Sequence, residues 1–311
     1  MSVNIKVKEF EETGNTPVTV LSKILLQANF ATSRLQENNE GISILKPYEV
    51  FLDLSSKLLG VAETFLDIIT KGKDPVSAYS LMRVIADYLC SLVLIYENNN
   101  VDERSFRYLL YILDSQKLRF KNLKVIPEYD GRIGRQEYDA LCKQMTDARD
   151  NANEAIQFCI SQLNKHPYKT TNERLFQDIV KTTGGWKYKE FSSNATNRSG
   201  RVSLYSWREL YSFLDDRETI SSFVSFCSQY VHGLGNALLL TSDEEFMYPI
   251  TCFGIMLVGR YIRLIKNIYG EEYVSGLIDE GCQEYVSAMI CAFKHLNEMN
   301  MSNNVEPKAE Q

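Results

Sequence analysis

Proline and glycine are scarce in this chain, seven and sixteen among 311 residues. Proline breaks a helix interior and glycine weakens it, so their scarcity predicts long uninterrupted helices. Cysteine lacks any paired pattern. The seven thiols (Cys90, Cys142, Cys159, Cys227, Cys252, Cys282 and Cys291) are odd in number and show no CxxC spacing, and most lie in apolar stretches such as ADYLCSLVL and SAMICAF. That argues against a disulfide framework or a zinc site and for buried free thiols in a reducing compartment. Only three histidines occur. His166 and His295 have no acidic or thiol partners at metal-ligand spacing, so no metal and no cofactor is expected. A strong charge of one sign is missing too: 34 basic residues stand against 40 acidic ones, a net −6. A general polyanion binder is thereby excluded, and any nucleic-acid contact needs a local basic patch. The N-terminus, MSVNIKVKEFEE, lacks the apolar segment of a signal peptide. Apolar runs near Leu81–Tyr96 and Pro249–Ile265 are interrupted by Arg83 and Asp87 and by Arg260 and Arg263. Neither reads as the roughly 20 mainly apolar residues that cross a bilayer, so both are expected to be core helices of a cytoplasmic protein with no membrane contact.

What is present is helical periodicity with clear punctuation. Residues 3–8 alternate weakly as a strand would. Thr16-Pro17 is a cap followed by proline at the first helical position, opening a helix to about Gln36. Helices follow over about Pro47–Thr70, Asp74-Pro75 to Glu97, and Asp102–Phe120, an up-down-up unit with short connections. After a loop at Lys121–Arg135, helices are expected at about Gln136–Asn164, 171–182 (capped by Thr171), Ser203–Phe213, Asp216–Tyr230, Asp243–Ile268 and Glu271–Glu298. The stretch TGGWKYKEFSSNATNRSGRV, residues 183–202, is rich in Gly, Ser, Asn and Thr and reads as the long loop. The fold class is therefore all-α: a multi-helix bundle of about eight to ten mostly antiparallel helices. Residues 1–45 form an N-terminal extension with one helix, 46–298 the bundle, and 299–311 a disordered tail.

Three constellations could carry chemistry. On the helix SAYSLMRVIADYLCSLVLIYEN, nearly everything from Leu81 to Ile95 is apolar except Arg83, Asp87 and Ser91, spaced by four. Arg83 and Asp87 can pair across one turn, and charges on so apolar a helix must be satisfied. They are either a polar site inside the bundle, or a salt bridge that fixes helix register, or a stripe that simply faces water. Second, His232 falls at the end of a helix in SQYVHGLG, with Gly233 available as a left-handed cap residue. It is either an acid–base group or a helix-capping side chain. Third, Lys117, Arg119, Lys121, Lys124, Arg132 and Arg135 are opposed only by Glu128 and Asp130. Lys117, Arg119, Lys121 and Arg132 are the candidate phosphate or RNA contacts; a solvated helix end is the alternative. No Walker A loop, Rossmann glycine fingerprint, HExxH or nucleophile elbow is present.

The Arg83-x-x-x-Asp87 helix together with the later Ser228-x-Tyr230-x-His232 element resembles a bacterial all-helical family of unknown function, over roughly residues 45–235. Asp87 stands where that family usually has glutamate. The family is in turn distantly similar to the HEPN group of helical domains, several of which are metal-independent ribonucleases of bacterial conflict systems. Their signature places an arginine four to six residues before a histidine on one helix. Here the nearest upstream arginine is the distant Arg217, so Arg83 and His232 would have to meet from different helices.

Two functions follow. One is a non-catalytic interaction or regulatory module, in keeping with a defence system, in which Arg83, Asp87 and His232 are clasps and the loop around Trp186–Arg201 is the contact surface. Its partner would be another protein or a second copy of the chain. The other is a metal-independent ribonuclease or nucleotide-handling enzyme, with His232 as acid/base and Arg83 stabilising phosphoryl charge, oriented by Asp87. The basic patch would then receive RNA or a nucleotide. The first weighs slightly above the second.

Overall fold

A computed structural model describes residues 16–38, 47–72, 74–98, 100–123, 128–190, 202–215, 218–233, 244–284 and 286–287. Among them are ten α-helices and no β-strand, so the fold is an all-α multi-helix bundle. The helices are α1 (Pro17–Glu37), α2 (Pro47–Asp67), α3 (Pro75–Tyr96), α4 (Val101–Asn122), α5 (Arg135–Lys165), α6 (Glu173–Lys181), α7 (Trp207–Ser212), α8 (Glu218–Val231), α9 (Glu244–Tyr269) and α10 (271–284). The starts follow the local chemistry. The Thr16 hydroxyl accepts from the Thr19 N–H at 3.2 Å ahead of Pro17, and the Asp74 carboxylate accepts from Ser77 and Val76 at 3.1 and 3.3 Å ahead of Pro75. Asn100 caps α4 through the N–H groups of Asp102 and Glu103. Each cap satisfies backbone donors that the first turn leaves orphaned.

The contacts divide the chain into two compact units, one of residues 1–40, 55–85 and 230–311, the other of 41–54 and 86–229. The expected boundaries at 45/46 and 298/299 fall outside the described residues, as does the weak strand signal at 3–8.

In the first unit α1 packs against α9. Leu21, Leu25, Ala28, Thr32 and Leu35, recurring every three to four residues, form its buried stripe. Thr32 is the polar member, and its hydroxyl lies 2.7 Å from the Tyr261 hydroxyl. Burial pushes the Tyr261 phenol up to about 12, which keeps it a neutral hydrogen-bonding group. Gly281 is a close-approach residue: a Cβ there would stand 2.6 Å from the Phe30 ring.

In the second unit α4 and α5 form an antiparallel hairpin. Ala152, Ile156, Cys159 and Leu163 of α5 and Phe106, Leu109, Leu110 and Leu113 of α4 are buried. Burial in this seam pushes the Cys159 thiol up to about 11, far from the range of a reactive thiolate. At the foot of the hairpin, the His166 Nδ1 accepts from the Tyr168 N–H at 3.2 Å, and its ring packs 5.3 Å from Phe106. Burial holds the imidazole below its ordinary value, with Asp102 opposing. The neutral ring alone can accept this bond. The folded pKa lies below the unfolded one, so stability is complete above the unfolded value near 6.5 and is lost as pH falls towards the folded value. Chemical denaturation between pH 7.5 and 5 is expected to show that loss, and His166→Asn, which keeps an acceptor but does not titrate, should flatten it. An unchanged pH profile in the variant would refute the assignment.

Three expectations need correction. Thr171 does not cap the helix expected over 171–182: that helix is Glu173–Lys181 behind Asn172, and the Thr171 hydroxyl donates to the Tyr168 carbonyl at 3.1 Å. The helix expected from Ser203 begins only at Trp207, because residues 203–205 are drawn into an antiparallel bridge with 188–190. And α3 and Met247–Tyr269 are both long and apolar enough to cross a membrane by length and composition, despite their charges. In α3 67% of that apolar window is buried inside the protein, as in the core helix of a bundle.

Candidate functional site

Asp87 is where α3 departs most from its hydrocarbon surroundings. Its Oδ1 accepts from the Lys187 ammonium and from the Tyr211 hydroxyl, each at 2.8 Å. Neither partner is on α3. Lys187 comes from a short 3-10 turn, Trp186–Tyr188, and Tyr211 from α7. The contact is continued by aromatic rings. Tyr211 stacks on Trp207 at 5.8 Å and 16°. Trp207 meets Tyr188 edge-on at 5.2 Å and 66°, and the Lys187 ammonium lies 5.3 Å from the Tyr188 centroid. Asp87, Tyr211, Trp207, Tyr188 and Lys187 thus close a ring in which each member touches the next. Tyr211 is buried, whereas Trp207 is 51% exposed.

The turn that delivers Lys187 is itself pinned. Asp114 on α4, 5% exposed, accepts from the Gly184 N–H at 2.7 Å and the Trp186 N–H at 3.2 Å. Gly184 and Gly185 have φ of 79° and 103°, left-handed conformations that glycine adopts without strain. Trp186, 5% exposed, seats edge-on against Tyr111 at 5.2 Å. Beyond it, Lys189 pairs with Asp178 of α6.

Lys117 has a different role from the expected phosphate contact. Its ammonium donates to the carbonyls of Ile179, Val180 and Thr182 at the end of α6. An ammonium has three donors, and all are engaged in capping a helix C-terminus, where the dipole also favours a cation. Burial lowers its pKa, with Asp114 and Asp178 opposing. Arg119 and Lys121 are exposed on the last turns of α4. Arg132 is exposed and ion-paired with Asp130 at 3.1 Å. Arg135 pairs with Asp139 at 3.1 Å and lies over the Tyr129 and Tyr138 rings at 5.0 and 5.7 Å. The stretch that reads as one basic patch is divided among a helix cap, local ion pairs and two exposed cations.

Of the other candidates, Arg83 is 9% exposed on α3, one turn before Asp87. Tyr230 stacks on Tyr79 at 4.5 Å and 20°, which sets the last turn of α8 against α3 one turn before Arg83. His232 follows that turn. Gly233 takes the left-handed conformation, φ 61°, and its N–H closes on the Tyr230 carbonyl at 3.2 Å. The His232 side chain is exposed and makes no hydrogen bond, ion pair or ring contact among the described residues. Asp87 is therefore brought together with Lys187 and Tyr211. The loop assigned as contact surface is divided: Trp186 is core, and residues 191–201 lie outside the described residues.

Lys187, Tyr211 and Asp114 escape a sequence reading because their partners are remote, 100 and 124 positions away for Asp87 and 70 and 72 for Asp114. A signal did exist: Asp114 is an acid inside YLLYILDSQK, the same embedded-charge pattern that singles out Asp87. No protein-family model, no curated protein and no solved structure matches the chain.

Proposed function

We propose that the chain is a non-catalytic interaction or regulatory module of the cytoplasm. The observation that carries this reading is the engagement of Asp87. A carboxylate that accepts from both an ammonium and a phenol within its own unit, in a ring of mutually touching side chains, is built to hold α3, the 186–188 turn and α7 in one arrangement. The Lys117 cap and the Asp114 latch serve the same end. Such rigidity suits a scaffold that presents a surface, since preorganised side chains lose little freedom when a partner arrives. A place in a bacterial defence system fits the family resemblance.

The test is direct. The purified chain is incubated with single-stranded RNA, ATP and GTP in EDTA, beside Arg83→Ala, Asp87→Asn and His232→Ala variants. The expected result is no turnover by any of them, with Asp87→Asn unfolding at a lower temperature than the parent. Metal-independent cleavage by the parent, abolished in folded Arg83→Ala and His232→Ala proteins, would replace this reading with the ribonuclease one.

A further inference from the structure

α5 runs for 31 residues, yet its buried side chains, Ala152, Ile156, Cys159 and Leu163, all lie in its second half. Cys142, Met145 and Arg149 continue this row towards the N-terminus, only half-buried, with the Arg149 guanidinium 4.6 Å from the Phe120 ring of α4. A second row stands about 100° round the helix, each member one position before a member of the first: Leu141, Gln144, Ala148, Asn151, Ala155 and Phe158. Leu141 and Phe158 are 43% and 37% exposed. Ala148 and Ala155 are half-buried, and Gln144 and Asn151 are exposed. The spacing alternates three and four, the period that a second helix can follow along its length. Large apolar side chains at the two ends, with alanines between them, leave room for another helix to come close.

Charge decides which helix fits. One position before Ala148, Asn151 and Ala155, and so about another 100° round, stand Asp147, Asp150 and Glu154. All three are exposed, and none makes a hydrogen bond or ion pair among the described residues. Lys143 is the one cation of their row. The other cations of this half of α5 are engaged: Arg135 pairs with Asp139 at 3.1 Å, and Arg149 lies on Phe120. The border of the face is therefore left with uncompensated negative charge. A second copy docked on it through the same face would set these acids against their own counterparts, and a polyanion is repelled in the same way. A helix that carries cations beside its apolar stripe meets the opposite field.

We propose that the flank of α5 between Leu141 and Phe158 binds a basic amphipathic helix of a partner protein, with the partner's apolar side chains on Leu141, Ala148, Ala155 and Phe158 and its cations on Asp147, Asp150 and Glu154. The proposal rests on the interaction-module reading and supplies its contact surface. The apolar contact gives the affinity, and the acids give the choice of partner and a salt-dependent rate of association. The span from Leu141 to Phe158 sets the partner's length at about five helical turns.

The full chain is used to select from a display library of helical peptides about twenty residues long, randomised along one face and its borders. The enriched peptides are labelled and titrated by fluorescence polarisation. Apolar residues at alternating three- and four-residue spacing, with Lys or Arg beside them, are expected. Ala148→Arg places bulk and a like charge in the middle of the face, and the triple exchange Asp147→Lys, Asp150→Lys and Glu154→Lys reverses its border; each should weaken binding at least about tenfold. All four positions lie off the buried row of α5, and circular dichroism confirms that both variants fold. The same charge reversal at Glu272, Asp279 and Glu280, exposed acids of the other unit, should leave binding unchanged. A library without enrichment, peptides that bind the Ala148→Arg protein equally well, or an equal loss in the Glu272, Asp279 and Glu280 variant would overturn the proposal. So would sedimentation showing a parent dimer that Ala148→Arg dissociates, which assigns the face to a second copy. None of these outcomes touches the turnover assay, so failure here is distinguishable from failure of the module reading.

Discussion

Replacing Asp114 by alanine is expected to destabilise the protein by about 3 kcal/mol, the largest effect of any single polar substitution considered for this fold. The carboxylate is 5% exposed and receives the N–H groups of Gly184 and Trp186. Alanine leaves both donors without this acceptor, the Trp186 N–H in a buried setting and the Gly184 N–H in a part-buried one, and an orphaned buried donor carries a desolvation penalty of roughly 1–3 kcal/mol. The loss also frees a turn whose two glycines have little intrinsic reason to hold their left-handed conformation. Urea unfolding monitored by far-UV circular dichroism measures the change. Asp114→Asn, which keeps one acceptor oxygen, should lose about half as much. If alanine and asparagine cost the same small amount, the carboxylate is not the latch that holds the turn.

The second large effect concerns Asp87. Asp87→Ala leaves the Lys187 ammonium and the Tyr211 hydroxyl without their shared acceptor in a partly buried setting, and about 2–3 kcal/mol should be lost. The pair is shielded from solvent, with side-chain exposures of 20% for Lys187 and 27% for Asp87, so added salt should recover little of the effect. A double-mutant cycle separates the arms. Asp87→Ala combined with Lys187→Met should cost less than the sum of the single variants by about 1–2 kcal/mol, and Tyr211→Phe should couple to Asp87→Ala by about 1 kcal/mol. Additive costs would show that the three side chains act independently and that the closed ring has no energetic meaning.

These two latches mark where sequence reading stops. The helices are legible because their causes are local. The Thr16-Pro17 and Asp74-Pro75 starts form as their residue types dictate, and Gly233 takes the left-handed turn that ends α8. The four-residue spacing of Arg83 and Asp87 places both charges on one face of α3, but the chain also carries their solution elsewhere. Lys187 reaches Asp87 from 100 positions away, and no periodicity encodes such a pairing. The same limit explains Lys117: a lysine near a helix end reads as a solvated cation or a phosphate contact until α6 is seen to place its final carbonyls around the ammonium. Trp186 and Ser203 fail for one reason. Gly184, Gly185 and the serines around them mark a break in helix correctly, but whether a broken segment is solvated or pinned depends on what remote residues offer it, here Asp114 and the bridge between Lys189 and Leu204.

The chain contains two tryptophans, and the fold puts them in opposite surroundings. Trp186 is 5% exposed beneath the Asp114 latch, while Trp207 is 51% exposed on the rim of the aromatic ring. The protein therefore carries two intrinsic optical reporters that a dissolved quencher can tell apart: acrylamide should extinguish the red-shifted emission of Trp207 and leave the blue-shifted emission of Trp186. One indole then reports what arrives at the surface and the other reports whether the turn below it is still held, so occupancy and integrity can be read from one unlabelled sample.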